Sequence, residues 1–469
     1  MKNLAVLLLL SFLVLSIVEL AQIGMVKANF EQAPTIAPGS IVINVDGTVN
    51  PSTAPIERSG YSYKLTGDIV DQQVYIEQNG ITFDGNDHRL IDDKSDYNFG
   101  VILNCTKNVT IKNIQINGFY FGIKIQFQTW DPSVGPWGPQ PKPDASWVPS
   151  NNKISGCTII NCRKAGIELN DASDIIVSQN TITNNNIGVE IAPDWSIIPV
   201  AGDQITSNTL KSNGQGIVLT DCDSCIISDN IITRNQQEGI QIGSSNNGVS
   251  GNSITENGMG IVVAGSRGAG VQPITNNQIS GNQIADNSGW GLRLTGIQTG
   301  NKIWGNNIID NNPSVGFQVS MPQVMVTTNI NHNVTVSMIS GMANAWSSNN
   351  QGNYWSDFKT RYPNATATNN VWDTAFYINE NNIDHYSLVS PLANPTLSAS
   401  YAGMISLASP TAPSTIPMPN LPQLSPTQTA ISANKNITII AIVAITLTVA
   451  IIVLTFSIRK NMSHCKEPA

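Results

Sequence analysis

Glu168 and Glu190 are the two residues whose type and spacing point most directly to chemistry. Each is the third member of a Gly-apolar-x-apolar phrase, Gly166-Ile167-Glu168-Leu169 and Gly188-Val189-Glu190-Ile191. If successive phrases stack as neighbouring strands, the two carboxyls lie about 5 Å apart on one face. Like charges that close raise one pKa or recruit a cation. Lys124 holds the same position in Gly122-Ile123-Lys124-Ile125 and would neutralise one of them. Two interruptions of the rhythm flank this column. Gln126 to Ser150 carries Trp130, Trp137 and Trp147 among several prolines; Ala192 to Gly202 carries Asp194 and Trp195. Indole rings beside carboxylates on a stiff sheet suit sugars, whose apolar faces stack and whose hydroxyls hydrogen-bond. The candidate ligand site is therefore Trp130, Trp137, Trp147, Glu168, Glu190, Asp194 and Trp195. A plainer alternative has the tryptophans packing a long loop onto the sheet and the Glu–Lys column as a solvated ladder.

Metal chemistry has thinner support. His88, His332, His385 and His464 are far apart in sequence and form no ligand pair. Cys222-Asp223-Ser224-Cys225 is a CxxC, but a strong zinc signature needs a second pair. Cys157 and Cys162 lie more than two repeats away. These cysteines read as buried thiols or a local disulfide. Met321, Met325, Met338 and Met342 read as packing residues. No metal ligand, cofactor or catalytic residue is assigned; Ca²⁺ is the one ion a carboxylate pair would invite, and nothing else supports it.

The elements that must position these residues are repeats. The Gly-led phrase recurs at Gly122, Gly166, Gly188, Gly216, Gly239, Gly260, Gly291 and Gly316, mostly about 21 to 31 residues apart. Alternation of apolar and variable residues is the strand period, with Ile167 and Leu169 facing an interior and Glu168 facing water. No single unit can form a core, so units must stack. A second phrase precedes each strand: Asn180, Asn208, Asn230, Asn252, Asn282 and Asn306 each begin a short apolar run. Stacked at about 4.8 Å, these asparagines would form a hydrogen-bonded ladder at one corner. Cys157 aligns with that corner. The glycines are expected where the chain bends with positive φ. The fold class is an all-β parallel β-helix.

Residues 1–28 have a basic start, an apolar run and small residues near Ala28, the pattern of a signal peptide. The uncharged run Ile437–Ile458 reaches roughly 33 Å as a helix, against a hydrocarbon core of about 30 Å. Arg459, Lys460 and Lys466 follow it, which puts residues 459–469 in the cytoplasm and the rest outside. The stretch 393–436 is rich in Pro, Ser and Thr and reads as a stalk. The expected organisation is thus signal peptide, N-terminal cap and irregular coils at 29–100, repeats at 101–345, a C-terminal cap at 346–392, stalk, a single transmembrane helix at 437–458 and tail. The expected location is the cell membrane. The formal charge of -8 and the absence of a basic stripe exclude nucleic acid as a partner.

Beyond the repeats lie Gly352-Asn353-Tyr354-Trp355-Ser356-Asp357 and Asn382-Ile383-Asp384-His385-Tyr386-Ser387-Leu388. With the Asn/Gly coils, these blocks resemble the NosD-like group of parallel β-helix proteins, within the pectin-lyase-like superfamily. The resemblance covers roughly residues 60 to 392. It implies a right-handed helix with three short parallel sheets per coil. It also implies two alternatives to a surface protein that binds a glycan or cell-wall polymer: a copper-accessory role, or a polysaccharide lyase or hydrolase. The paired-Asp, Gly-His-Gly and Arg-x-Lys pattern of polygalacturonases and the Asp-Pro-His cluster of alginate epimerases are missing, so no complete catalytic constellation is found.

Overall fold

The computed structural model describes residues 39–93, 98–127, 148–192, 200–220, 222–264, 273–296, 298–311 and 343–393, with the backbone alone at 324–327. All fall within the first of the chain's two compact units, Met1–Leu407. The chain winds through three sheets in turn, of twelve, eleven and eleven strands. Apart from two N-terminal antiparallel pairs, Ile41–Ile43 with Val49–Asn50 and Ile56–Ser59 with Ser62–Leu65, strands that follow one another in a sheet come from successive coils and pair in parallel. The first sheet runs through Phe121–Gln126, Ala165–Asn170, Ile187–Ile191, Gln215–Leu219, Glu238–Ile242 and Met259–Ala264. These are the Gly-led phrases. The architecture is the all-β, right-handed type of parallel β-helix. The Gly316 phrase lies outside the described residues, and the strand beyond Leu292–Thr295 is Val324–Thr327.

Register makes the core. Ile123, Ile167, Val189, Ile217, Ile240, Ile261 and Leu292 pair in one column of the first sheet, and every one is fully buried. Ile154, Val177, Ile205, Ile227, Val249 and Ile279 do the same in the second sheet, and Ile159, Ile182, Leu210, Ile232, Ile254 and Ile284 in the third. Three-residue strands place one apolar side chain inward and two outward, so each coil contributes a few aliphatic residues to a shared interior.

The asparagine ladder exists, and it is one of three. From Asn180 through Asn208, Asn230, Asn252, Asn282 and Asn306 to Asn353, each side-chain amide donates to the next Oδ1 at 2.9–3.1 Å. Cys157 heads that column, its amide N–H donating to Asn180 Oδ1 at 2.9 Å. A second ladder runs from Asn185 through Asn213, Asn235, Asn257 and Asn287 to Asn311. A third contains Asn247, Asn277, Asn301, Asn344 and Asn382. Where asparagine stands at an inner corner, its buried amide is hydrogen-bonded to the neighbouring coil.

The expectation about glycine is corrected. The strand glycines do not have positive φ; residues just before the ladder asparagines do, among them Gln179, Asn184, Ser207, Ser212, Asp229 and Arg234. Glycine is required in the strands because adjacent coils touch there. A Cβ on Gly166 would meet the Gly188 carbonyl oxygen at 2.8 Å, and one on Gly188 would meet that of Gly216 at 2.5 Å.

The two late blocks close the helix. Tyr354–Trp355 joins the third sheet, Phe358–Arg361 forms a short helix, and Phe376–Asn379 pairs with Asn382–Asp384 as a hairpin. Asn382 terminates the third ladder. Asp384 terminates the first: its Oδ2 accepts the Asn353 backbone N–H at 2.7 Å and the Trp355 Nε1–H at 2.9 Å.

Candidate functional site

The outer face of the first sheet carries the residues singled out above. Two outward columns can be followed along it. Glu168 pairs in register with Glu190, and Lys124 with Glu168, as the shared position in the phrase requires. The full column reads Val42, Tyr75, Ile102, Lys124, Glu168, Glu190, Val218, Gln241, Val262 and Arg293. The residues just before the glycines form a second column of Phe99, Phe121, Ala165, Ile187 and Gln215.

Glu168 does not face water. It and Lys124 are 5% and 3% exposed, and Lys124 Nζ lies 2.7 Å from Glu168 Oε2. The reason is the neighbouring column. Phe99 and Phe121 stack at 5.4 Å, and the Lys124 ammonium sits 4.6 Å from the Phe121 centroid. An aromatic pair over the strand removes solvent from the lysine stem and adds a cation–π attraction. Glu190 is held apart by a second lysine: Lys164 Nζ donates to both its oxygens, at 2.8 and 3.0 Å. Each carboxylate therefore has its own ammonium. Trp130, Trp137, Trp147, Asp194 and Trp195 lie outside the described residues. The interruptions that contain them leave from one corner, after Phe121–Gln126 and Ile187–Ile191.

Further along the same face is a group the phrase pattern could have revealed, since Gln241 and Arg293 hold the Glu168 position in their own phrases. Gln215 Nε2 donates to Glu238 Oε2 at 2.9 Å and to Gln241 Oε1 at 3.0 Å. Arg293 lies over the Trp290 ring at 5.1 Å. The Trp290 Nε1–H and Arg293 Nε–H have no protein acceptor. At the opposite end the buried Tyr75 hydroxyl also lacks a partner, and burial pushes its pKa upward. These three donors are themselves buried, so the part of the group that faces outward is the Arg293–Trp290 pair with Gln241 and Glu238.

Inside the helix, the CxxC has closed: Cys222 and Cys225 are joined as a disulfide, while Cys157 and Cys162 are buried thiols whose pKa burial pushes up to about 12. Asp203 is beside the disulfide. Its carboxylate and the two sulfurs make up the one cluster of three metal-ligating side chains among the described residues.

Residues 146–360 match the model of the family described as periplasmic copper-binding protein (NosD). Over that span the chain is similar to NosD, and its fold is a parallel β-helix. No curated protein matches it. Solved structures with partial likeness include the periplasmic alginate epimerase AlgG (17% identity, TM-score 0.41, 55% of this chain and 66% of that one). Others are the Dettilon tailspike protein (15%, 0.32, 51% and 49%) and DFA-IIIase from Arthrobacter chlorophenolicus A6 (13%, 0.36, 53% and 62%). The chain spans between about half and two-thirds of the length of these three. The copper in the family's description can be weighed against the donors present. Two sulfurs suit a thiophilic ion only as thiols, and the carboxylate is a hard oxygen donor. In the dithiol form Cys222, Cys225 and Asp203 are the residues that would hold such an ion.

Proposed function

We propose that this protein is an extracytoplasmic binding protein that holds a carbohydrate chain along the outer face of its first sheet, tethered to the membrane by Ile437–Ile458. The observation that carries the reading is the half-buried polar and aromatic track on that face. It goes from the Lys164–Glu190 pair through Gln215, Glu238 and Gln241 to Arg293 lying over Trp290. Coil stacking at about 4.8 Å gives such a track a fixed pitch against which an extended polymer can register. Binding fits the carboxylates better than glycosidic or lyase chemistry does. Hydrolysis needs two carboxyls working on one bond, and here each is already neutralised by its own ammonium. Among the described residues no helix is long and apolar enough to cross a membrane, and Ile437–Ile458 lies outside them. The anchor rests on the uncharged run and the basic residues after it.

The test is glycan-array and calorimetric binding with the full chain in detergent, repeated with Trp290→Ala, Arg293→Ala and Glu190→Ala. Binding that weakens at least about tenfold in the first two, a loss of one aromatic or charge-assisted contact, supports the track. Binding untouched by all three, or no glycan bound, removes it.

A further inference from the structure

Asp203 is a carboxyl in a column where four of seven positions are asparagine. The position before each second-sheet strand holds Asn152, Asp203, Cys225, Asn247, Asn277 and Asn301, with Ile175 between the first two. Where asparagine stands, Oδ1 accepts an N–H from the coil below, as Asn152 does from Val109 and Asn247 from Cys225, both at 2.9 Å. Asp203 keeps that half of the pattern: its Oδ1 accepts the Ile175 N–H at 2.8 Å. The other half is gone. Its Oδ2 is fully buried and has no hydrogen-bond partner, in a residue with no exposed surface. An isolated carboxyl in an aliphatic core is costly unless something meets it. What surrounds it is two cysteines, at 0% and 1% exposure, and the three ligand atoms lie within 4.8 Å of one another. The amide is absent from three successive coils, at Ile175, Asp203 and Cys225, and only at Asp203 does a carboxyl take its place.

We propose that Asp203, Cys222 and Cys225 form a buried site for one zinc ion when the two cysteines are thiols. Two thiolates and a carboxylate are a zinc donor set, and the Cys-x-x-Cys spacing is the usual one for placing two sulfurs on one ion. A Cα–Cα separation of 6.2 Å brings both sulfurs to one point. Zinc is preferred over cuprous copper because a borderline ion uses the Asp203 oxygen and a soft one does not. A fourth donor is a water carried in with the ion. Binding displaces the two thiol protons and the proton that burial favours on the Asp203 carboxyl, all leaving as H⁺; no electron is transferred, and the disulfide form cannot bind. Since neither cysteine reaches solvent, the ion enters while the coils assemble, and binding is coupled to folding.

The experiment unfolds the full-length chain in detergent with a phosphine reductant, then refolds it with or without ZnCl₂ and dialyses against a chelator. Zinc is counted by elemental analysis and coordination is read by Co²⁺ substitution. The expected result is one zinc per chain, a thiolate-to-cobalt charge-transfer band, loss of both in Cys225→Ser, and readier loss of zinc to the chelator in Asp203→Asn. A circular-dichroism β spectrum checks that each variant is folded, and Asp203→Asn is expected to fold because asparagine suits the ladder. The proposal is overturned if the reduced chain keeps no zinc, if it takes cuprous copper but no zinc, if Cys225→Ser keeps the ion, or if folded Asp203→Asn holds it as tightly as the native chain.

Discussion

A carboxyl where the column prefers an amide makes Asp203 a probe of the buried ladder. Burial raises its pKa well above the ordinary value of 3.8, against the pull of the Ile175 amide. The folded chain therefore holds this proton more tightly than the unfolded chain does. The stabilisation is complete below the unfolded pKa and is lost as pH rises through the folded one. Asp203→Asn carries a permanent donor and does not titrate. In the metal-free, disulfide-linked protein, the variant should match the native chain near pH 3 to 4 and exceed it by about 1–3 kcal/mol towards pH 8. Denaturant unfolding across that range measures it; a difference independent of pH would refute the assignment. The residue thus weakens the empty fold and serves the metal site, so one substitution should move stability and zinc retention in opposite directions. Sequence reading reached the CxxC but not its partner, because Asp203 belongs to the site through stacking and not through spacing. It did reach the Lys124–Glu168–Glu190 column, since a period of two plus equal phrase position fixes registry. It missed the burial of that column, which depends on the Phe99 and Phe121 rings in the adjacent column.

Among the elements, the C-terminal cap shows how a sequence block becomes a physical device. A stack of amide ladders ends in unpaired donors, and a parallel sheet ends in an open edge. Asp384 answers the first problem. Its carboxylate accepts the Asn353 backbone N–H, the Asn353 side-chain amide, the Trp355 indole N–H and, through Oδ1, the Tyr386 N–H. Burial pushes its pKa up even so. Asn382 does the same for Asn344 and Trp346. Trp355 stacks on Phe376 at 4.1 Å and covers the last aliphatic layer. Asp384→Ala leaves several buried donors unmet at about 1–3 kcal/mol each. Hydrogen exchange followed by mass spectrometry should show residues 343–393 opening while 148–192 keeps its protection. Equal loss in both segments would mean that the cap does not act locally. The two blocks were recognisable as a family resemblance, but their purpose was not, because the ladder partners Asn344 and Asn353 lie up to 38 residues away in sequence. Glycine was misjudged for a related reason: the contact between Gly166 and Gly188 backbones exists only after coils meet.

For the whole molecule, stacking makes stability a sum over neighbours, with each coil answering to the one above and the one below. This is why the repeat could be read from the chain at all: one phrase, iterated, specifies both the interior columns and the corners. It is also why the ligand could not be read, since any surface position can vary without disturbing a coil. The one-dimensional design has a mechanical consequence. Ile232 is fully buried in the third sheet, paired with Leu210 below and Ile254 above. Ile232→Asp removes its burial, worth about 1.5–3 kcal/mol, and adds a carboxylate that no neighbour can pair. A protein with one indivisible core would then unfold as a unit. Here the coils on either side retain their own columns, and the C-terminal group is additionally closed by its cap. Limited proteolysis should therefore cut the variant near residues 222–242 and release two resistant fragments, where the native chain resists cleavage at that coil. Uniform digestion with no stable fragment would show that cooperativity spans the entire stack and that the neighbour-by-neighbour account of this helix is wrong.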